Sequence, residues 1–457
     1  MAWATSCLVG VAAAAWYEQA VLGLMIATPL TLVGVVLSPT FALCCIALML
    51  PLGGSLVYEG TISSDRVVGA VAALGILANH LATGKGIRIG GSPLIPLFLI
   101  VVWSLLAVLW AAYPMVAVAG AFTLVQLAIW GLAVWNALAY GRHAIWPLRC
   151  YAGGTLVIAG HMFWTGSIYR MARSAERVTV EVTAAINPAD FAVLLGVAFF
   201  VTVYLILRDP TKWLRPVWAL GALIFPAIMI QTGSRGPLLA LGAAIFISLF
   251  TAASGFRKSK AMLIGVAAML VLAAGGAYWS MHGGFISEKS MERLTSSGEK
   301  ERAASFRLYL AKTGVDHVLR NPLGVGLGNY TLVGVETTVV HMEILFLGTE
   351  LGIPAMVLYV WFFWKLGAGS LKTKSPAEKW FLQTMVVFLM AAACIHVIFF
   401  RKVFWFSTIA AAAIAYRSRQ EEGAQPYAVG QASGPGGLSG TSWAAAQPGL
   451  SRWPERR

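Results

Sequence analysis

Apolar runs long enough to cross a hydrocarbon core, about 20 residues each, recur along almost the whole chain. No other feature constrains the fold as tightly. Such runs fall at roughly 20–38, 41–58, 67–82, 94–112, 115–140, 147–165, 189–207, 213–231, 236–253, 261–279, 342–364, 379–400 and 403–416, with a shorter apolar stretch at 3–16. A backbone facing lipid must satisfy its own hydrogen bonds, so these runs predict helices, and alternating barrel strands are absent. The expected fold is all-α, a polytopic transmembrane bundle of about 12–14 helices with one large helical loop outside the membrane. Only 11% of residues are charged and 58% are hydrophobic, far from the roughly one-quarter charged of soluble domains. The N-terminal apolar run has no basic region before it and reads as a retained span, not a cleaved signal.

The orientation follows from where Lys and Arg collect. Basic connections occur at 85–88, 142–149, 208–215, 257–260, 365–379 and 417–419. Counting spans between them puts all six on one side, assigned to the cytoplasm. The excess of 33 Lys and Arg over 19 Asp and Glu therefore reports cytoplasmic loops and contacts to anionic membrane lipids, not nucleic acid. Arg401-Lys402 departs from the pattern by falling in an outward turn. Either that pair is functional or the last segment does not fully cross. The expected organisation is a transmembrane bundle at 1–279, an outer loop at 280–341, further transmembrane helices at 342–416 and a disordered cytoplasmic tail at 417–457, which is rich in Gly, Ala, Ser, Pro and Gln.

The five cysteines, Cys7, Cys44, Cys45, Cys150 and Cys394, lie in or beside apolar segments and form neither a disulfide framework nor a metal-ligand spacing. The long polar stretch 279–341 holds interleaved acids and bases, then the Gly-rich turn Asn321-Pro322-Leu323-Gly324-Val325-Gly326-Leu327-Gly328-Asn329-Tyr330, and ends at His341. The turn follows no strand and lacks the Lys-Ser/Thr of a P-loop. Its reading is a tight bend back to the bilayer.

Three outer constellations carry chemistry. Gln231-Thr232-Gly233-Ser234-Arg235-Gly236-Pro237 places an Arg at a helix start between two apolar runs. An Arg in lipid costs about 2.5–3.5 kcal/mol on insertion scales. It is either snorkelling to the interface or, beside the positive helix end, binding a phosphate. In the loop, Phe306, Leu310, Val315, Val318 and Leu319 form an apolar stripe at helical spacing around 303–319, with Arg307 beside it. Arg307 is either aimed at the membrane or one more exposed ion-pairing residue. His341 is either a structural residue at a helix start or a base able to take a proton from a hydroxyl near neutral pH. His282 and His317 share the loop without a comparable position.

Taken in order, Thr232-x-Ser234-Arg235-Gly236, Arg307, the Asn321-Pro322-Leu323-Gly324 turn through Tyr330, His341, and Glu350-Leu351-Gly352-Ile353 resemble the O-antigen ligase and O-antigen polymerase superfamily of bacterial membrane glycosyltransferases. The resemblance spans about 177–360. It implies transfer of a glycan from undecaprenyl diphosphate to an acceptor hydroxyl, on lipid A-core or on another glycan, at the periplasmic face of the inner membrane. Neither metal nor cofactor is implied. Carried over by position, Arg235 and Arg307 bind the diphosphate and His341 is the catalytic base, with Arg177, Ser234 and Tyr330 as supporting contacts. Many relatives have Asn after the His, whereas Met342 stands here. Ligase and polymerase both fit, and a polysaccharide flippase or transporter is the alternative from another class.

Overall fold

The computed structural model describes residues 34–35, 38–52, 64–84, 86–89, 93–140, 144–164, 187–255, 297–333 and 340–423. Arg177, the expected spans at 20–38 (apart from 34–35 and 38) and 261–279, the basic cluster at 257–260 and most of the tail lie outside them. Twelve α-helices occur among the described residues, with no strand. In chain order they are α1 (Pro39–Leu52), α2 (Ser64–Ala82), α3 (Leu94–Leu106), α4 (Pro114–Ala139), α5 (Ile145–Trp164), α6 (Pro188–Arg208), α7 (Arg215–Gln231), α8 (Arg235–Gly255), α9 (Ser297–Arg320), α10 (Glu343–Leu371), α11 (Pro376–Ala393) and α12 (Lys402–Gly423). Among the described residues, four helical stretches are long and apolar enough to cross a membrane: Pro114–Ala139, Pro188–Arg208, Lys212–Gln231 and Glu343–Leu371. Among the described residues the fold is all-helical, that of a membrane protein. The chain divides into two units, Met1–Arg419 and Gln420–Arg457.

The expected runs and the helices agree closely except toward the end of the chain. α10 extends to Leu371 and is broken at Gly352, whose φ of 79° lies outside helical space. α11 stops at Ala393, so residues 394–400, read from sequence as the end of a span, form with Arg401 an irregular loop. α12 runs on to Gly423, past the expected start of the tail at 417. It is buried almost all round from Val403 to Ala415, which a helix hydrophobic on every face requires. Its small residues let neighbours approach closely, the usual means of packing helices in lipid. Gly131 of α4 shows the same device, since a Cβ there would lie 2.8 Å from Ile409 and 3.1 Å from Trp405.

Five of the six basic connections are represented among the described residues, and side-chain contacts tie them together at one end of the helices. Arg149 pairs with Asp209, and Arg208 pairs with Glu378 at 2.8 Å. The Arg88 guanidinium lies over the Tyr140 ring at 5.1 Å, and Tyr140 meets Tyr416 edge-on at 6.0 Å. Arg419 in turn lies over Tyr416 at 5.7 Å. The Asp209 carboxylate is fully buried. It accepts from Arg149 Nε at 2.9 Å, the Thr211 amide at 2.7 Å and the Trp218 indole at 2.9 Å. That geometry compensates a buried ion pair, and removing one partner strands the other charge away from water.

Asp209→Ala is therefore expected to destabilise the protein by about 3–5 kcal/mol. Thermal unfolding of the detergent-solubilised protein checks this, and an unchanged midpoint would contradict the role given to the pair.

Candidate functional site

At the opposite end from the basic connections, the starts of α6, α8, α10 and α12 meet the ends of α7 and α11. The turn between α7 and α8 is built locally. Gly233 takes φ +64°, the left-handed conformation that suits a residue without Cβ. Thr232 Oγ1 donates to the Met229 carbonyl at 2.7 Å and accepts from the Ser234 amide at 3.3 Å. Arg235 then begins α8, with Pro237 in its first turn, a position where proline's missing N–H costs nothing. Arg235 and Ser234 are half-buried. A Cβ on Gly236 would come within 2.6 Å of Ile395, so the start of α8 rests directly on the 394–401 loop.

That loop is apolar yet irregular, and a buried carboxylate explains how it persists. Glu343, the first residue of α10, is completely inaccessible. It accepts from the amides of Phe399 and Ile398, the latter at 3.3 Å, and from the Tyr359 hydroxyl at 3.1 Å. Non-helical backbone at membrane depth is tolerated only where protein groups satisfy it. The clamp fastens the loop immediately beside His341. From α6, Asp190 reaches the same loop, bonding His396 Nε2 at 2.9 Å and pairing with Arg401 at 2.7 Å. Sequence reading missed Asp190, His396 and Glu343. The one available signal was the misplaced Arg401-Lys402 pair.

His341 is half-buried just before α10. α9 approaches it through Gly314, where a Cβ would stand 3.0 Å from Val340. Arg307 lies two turns earlier on that face of α9 and is exposed. Burial is the main force holding the His341 imidazole below its ordinary value of 6.5, and the charges of Arg307 and His396 add to it. His341, Arg307 and His396 therefore share one electrostatic neighbourhood. The ring stays neutral, and so able to accept a proton, at pH 7. Between α9 and α10 runs a wholly apolar groove of about 460 Å³, lined among others by Val315, Leu319, Ile344, Met356 and Val360.

The Gly-rich turn proves to be a cradle for a side chain of the protein itself. Glu350, buried on α10, accepts from the Asn329 amide at 3.0 Å and from the amides of Tyr330 and Gly328. Pro322 and Gly326 bond the backbone of Ile353 and Glu350, each at 2.8 Å. Trp103 and Trp110 donate indole N–H groups to Leu351 and Gly324 at 2.7 and 3.2 Å. A Cβ on Gly324, at φ +76°, would lie 2.5 Å from the Glu350 carbonyl. Tyr330 is fully buried with its ring edge-on to His317 at 5.0 Å. It therefore packs the turn against α9. Of the expected site residues, Arg235, Ser234, Arg307 and His341 fall at this end, while Tyr330 lies in the packed turn behind it.

Residues 220–360 match the family model described as O-antigen ligase. No curated protein matches the chain. The matched region runs from α7 to α10. It contains the Arg235 turn, α9 with Arg307, the Gly-rich turn and His341, which supports membership of the O-antigen ligase superfamily.

Two outcomes follow. The His341 imidazole is expected to titrate below 6.5 in an NMR pH titration, and Arg307→Gln should move it upward, because a cation that penalised protonation is gone. An unmoved titration would separate the two residues. Gly324→Ala combines a left-handed strain of about 1–2 kcal/mol with a backbone clash. It should lower the yield of folded protein far more than Gly367→Ala, where a Cβ meets nothing within 4 Å.

Proposed function

We propose that the protein is an inner-membrane glycosyltransferase of the O-antigen ligase type. It moves a glycan from undecaprenyl diphosphate to an acceptor hydroxyl at the periplasmic face, in lipopolysaccharide assembly. The observation that carries this reading is a neutral, half-buried His341 under the charge of Arg307, at the end of the helices that Arg235 also occupies. The basic connections lie at the other end, which by the positive-inside rule faces the cytoplasm. The matched family region supports the reaction class. The apolar groove between α9 and α10 suits a polyprenyl chain entering from the lipid.

In this mechanism His341 takes the proton of the acceptor hydroxyl. The acceptor oxygen bonds to the anomeric carbon as the bond from that carbon to the diphosphate breaks. Undecaprenyl diphosphate leaves carrying the electron pair. Arg235 and Arg307 bind the diphosphate and offset the charge that grows on it, so they act more strongly in the transition state than in the ground state. Ser234 and the free N–H groups at the start of α8 add donors at the same depth. Arg177 is a further proposed contact in the outer connection before α6. A polymerase differs only in its acceptor, a growing glycan instead of lipid A-core.

Purified protein given a lipid-diphosphate glycan and either acceptor tests the reading. The expected result is one addition per lipid A-core acceptor, whereas a product ladder would assign the polymerase reaction. His341→Ala and Arg235→Ala should each lower transfer by at least about a hundredfold, the usual scale for losing a general base or a transition-state charge contact. Wild-type transfer by both variants, correctly inserted, would remove the enzymatic reading.

A further inference from the structure

We propose that Arg401, positioned by Asp190, is a third guanidinium for the phosphate groups of the lipid-linked donor; this rests on the glycosyltransferase reading above. Four observations carry it. Arg401 and Lys402 stand at the start of α12, where the helix dipole disfavours cations, and on the end opposite the basic connections, where the positive-inside pattern does not expect a positive pair. The Asp190 carboxylate holds the Arg401 guanidinium through one terminal nitrogen, at 2.7 Å. The Asp190 side chain is 12% exposed and that of Arg401 52% exposed, so part of the donor fork faces outward. The same carboxylate holds His396 at 2.9 Å, and His396 acts electrostatically on His341. Finally, Ile395, one residue before His396, packs on Gly236, next to Arg235. The 394–401 loop thus lies between the Arg235 turn and His341, and Arg401 stands at its far end.

A guanidinium fixed on one edge by a carboxylate keeps its remaining N–H groups in a defined plane, the arrangement that favours bidentate phosphate contacts. Sharing one carboxylate between Arg401 and His396 holds both without adding a second negative charge near a diphosphate. Asp190 is a positioning residue in this scheme, and Arg401 is the residue that touches the ligand.

The test uses the full chain in nanodiscs, titrated with undecaprenyl diphosphate and read by intrinsic tryptophan fluorescence. Arg401→Ala should weaken binding by about ten- to a hundredfold, the range for one charge-assisted hydrogen bond, and Arg401→Lys should recover part of it. Asp190→Asn should weaken binding in the same direction by a smaller factor. In the transfer assay the loss should fall on the KM for the donor, with kcat largely kept, which a general loss of folded protein would not reproduce. Arg401→Gln, able to keep a hydrogen bond to Asp190, serves if the alanine variant does not fold. Wild-type affinity in the alanine or glutamine variant would overturn the proposal. An equal loss for phosphatidylglycerol would also overturn it, since Arg401 would then serve membrane lipid in general. Wild-type protein that fails to bind undecaprenyl diphosphate would instead overturn the glycosyltransferase reading beneath it.

Discussion

A carboxylate sealed from solvent holds together the end of this protein that carries His341. Glu343 gathers two backbone amides of the 394–401 loop and one tyrosine hydroxyl, and without those bonds the loop would leave polar backbone unsatisfied among apolar side chains. Such groups are costly in a medium without water. The loop in turn carries His396 and supports the start of α8. The placement of His341, Arg235 and Asp190 relative to one another therefore depends on one buried side chain that does none of the proposed chemistry.

Glu350 repeats the device one helical segment later. Its carboxylate fills the amide cradle of the Gly-rich turn, while Gly352 bends α10 against Pro322. Two acidic residues on one helix each capture an irregular segment that would otherwise need water. At the opposite end, Asp209 organises the basic connections in the same manner, through Arg149, Thr211 and Trp218. Buried carboxylates, each bonded to several donors, are thus the fasteners at both ends of the helices, and apolar packing fills the length between.

Much of the fold was legible in the chain because hydropathy and span length report on the solvent directly. Runs such as 189–207 and 115–140 became α6 and α4 within a residue or two. The reading failed at 394–400, where His396 sits in an otherwise apolar sequence. Hydropathy measures transfer into lipid, whereas the loop is stabilised by a partner more than fifty residues earlier in the chain. The Gly-rich turn misled differently. Its amides do form an anion cradle, but the anion is Glu350, and no local pattern shows which carboxylate folds back onto it.

The sequence by itself determined that the chain is helical, lies in a membrane and gathers positive charge in alternate connections between its spans. Those properties follow from side-chain transfer energies summed along single segments. It also marked Arg235, Arg307 and His341 by type and order. Tertiary structure alone decided that His341 feels Arg307 and His396, that Asp190 joins His396 to Arg401, and that Tyr330 is buried against His317. Those outcomes depend on distances between residues far apart in the chain, and distance across a bundle is set by how helices pack and which buried charges find partners, which no single segment encodes.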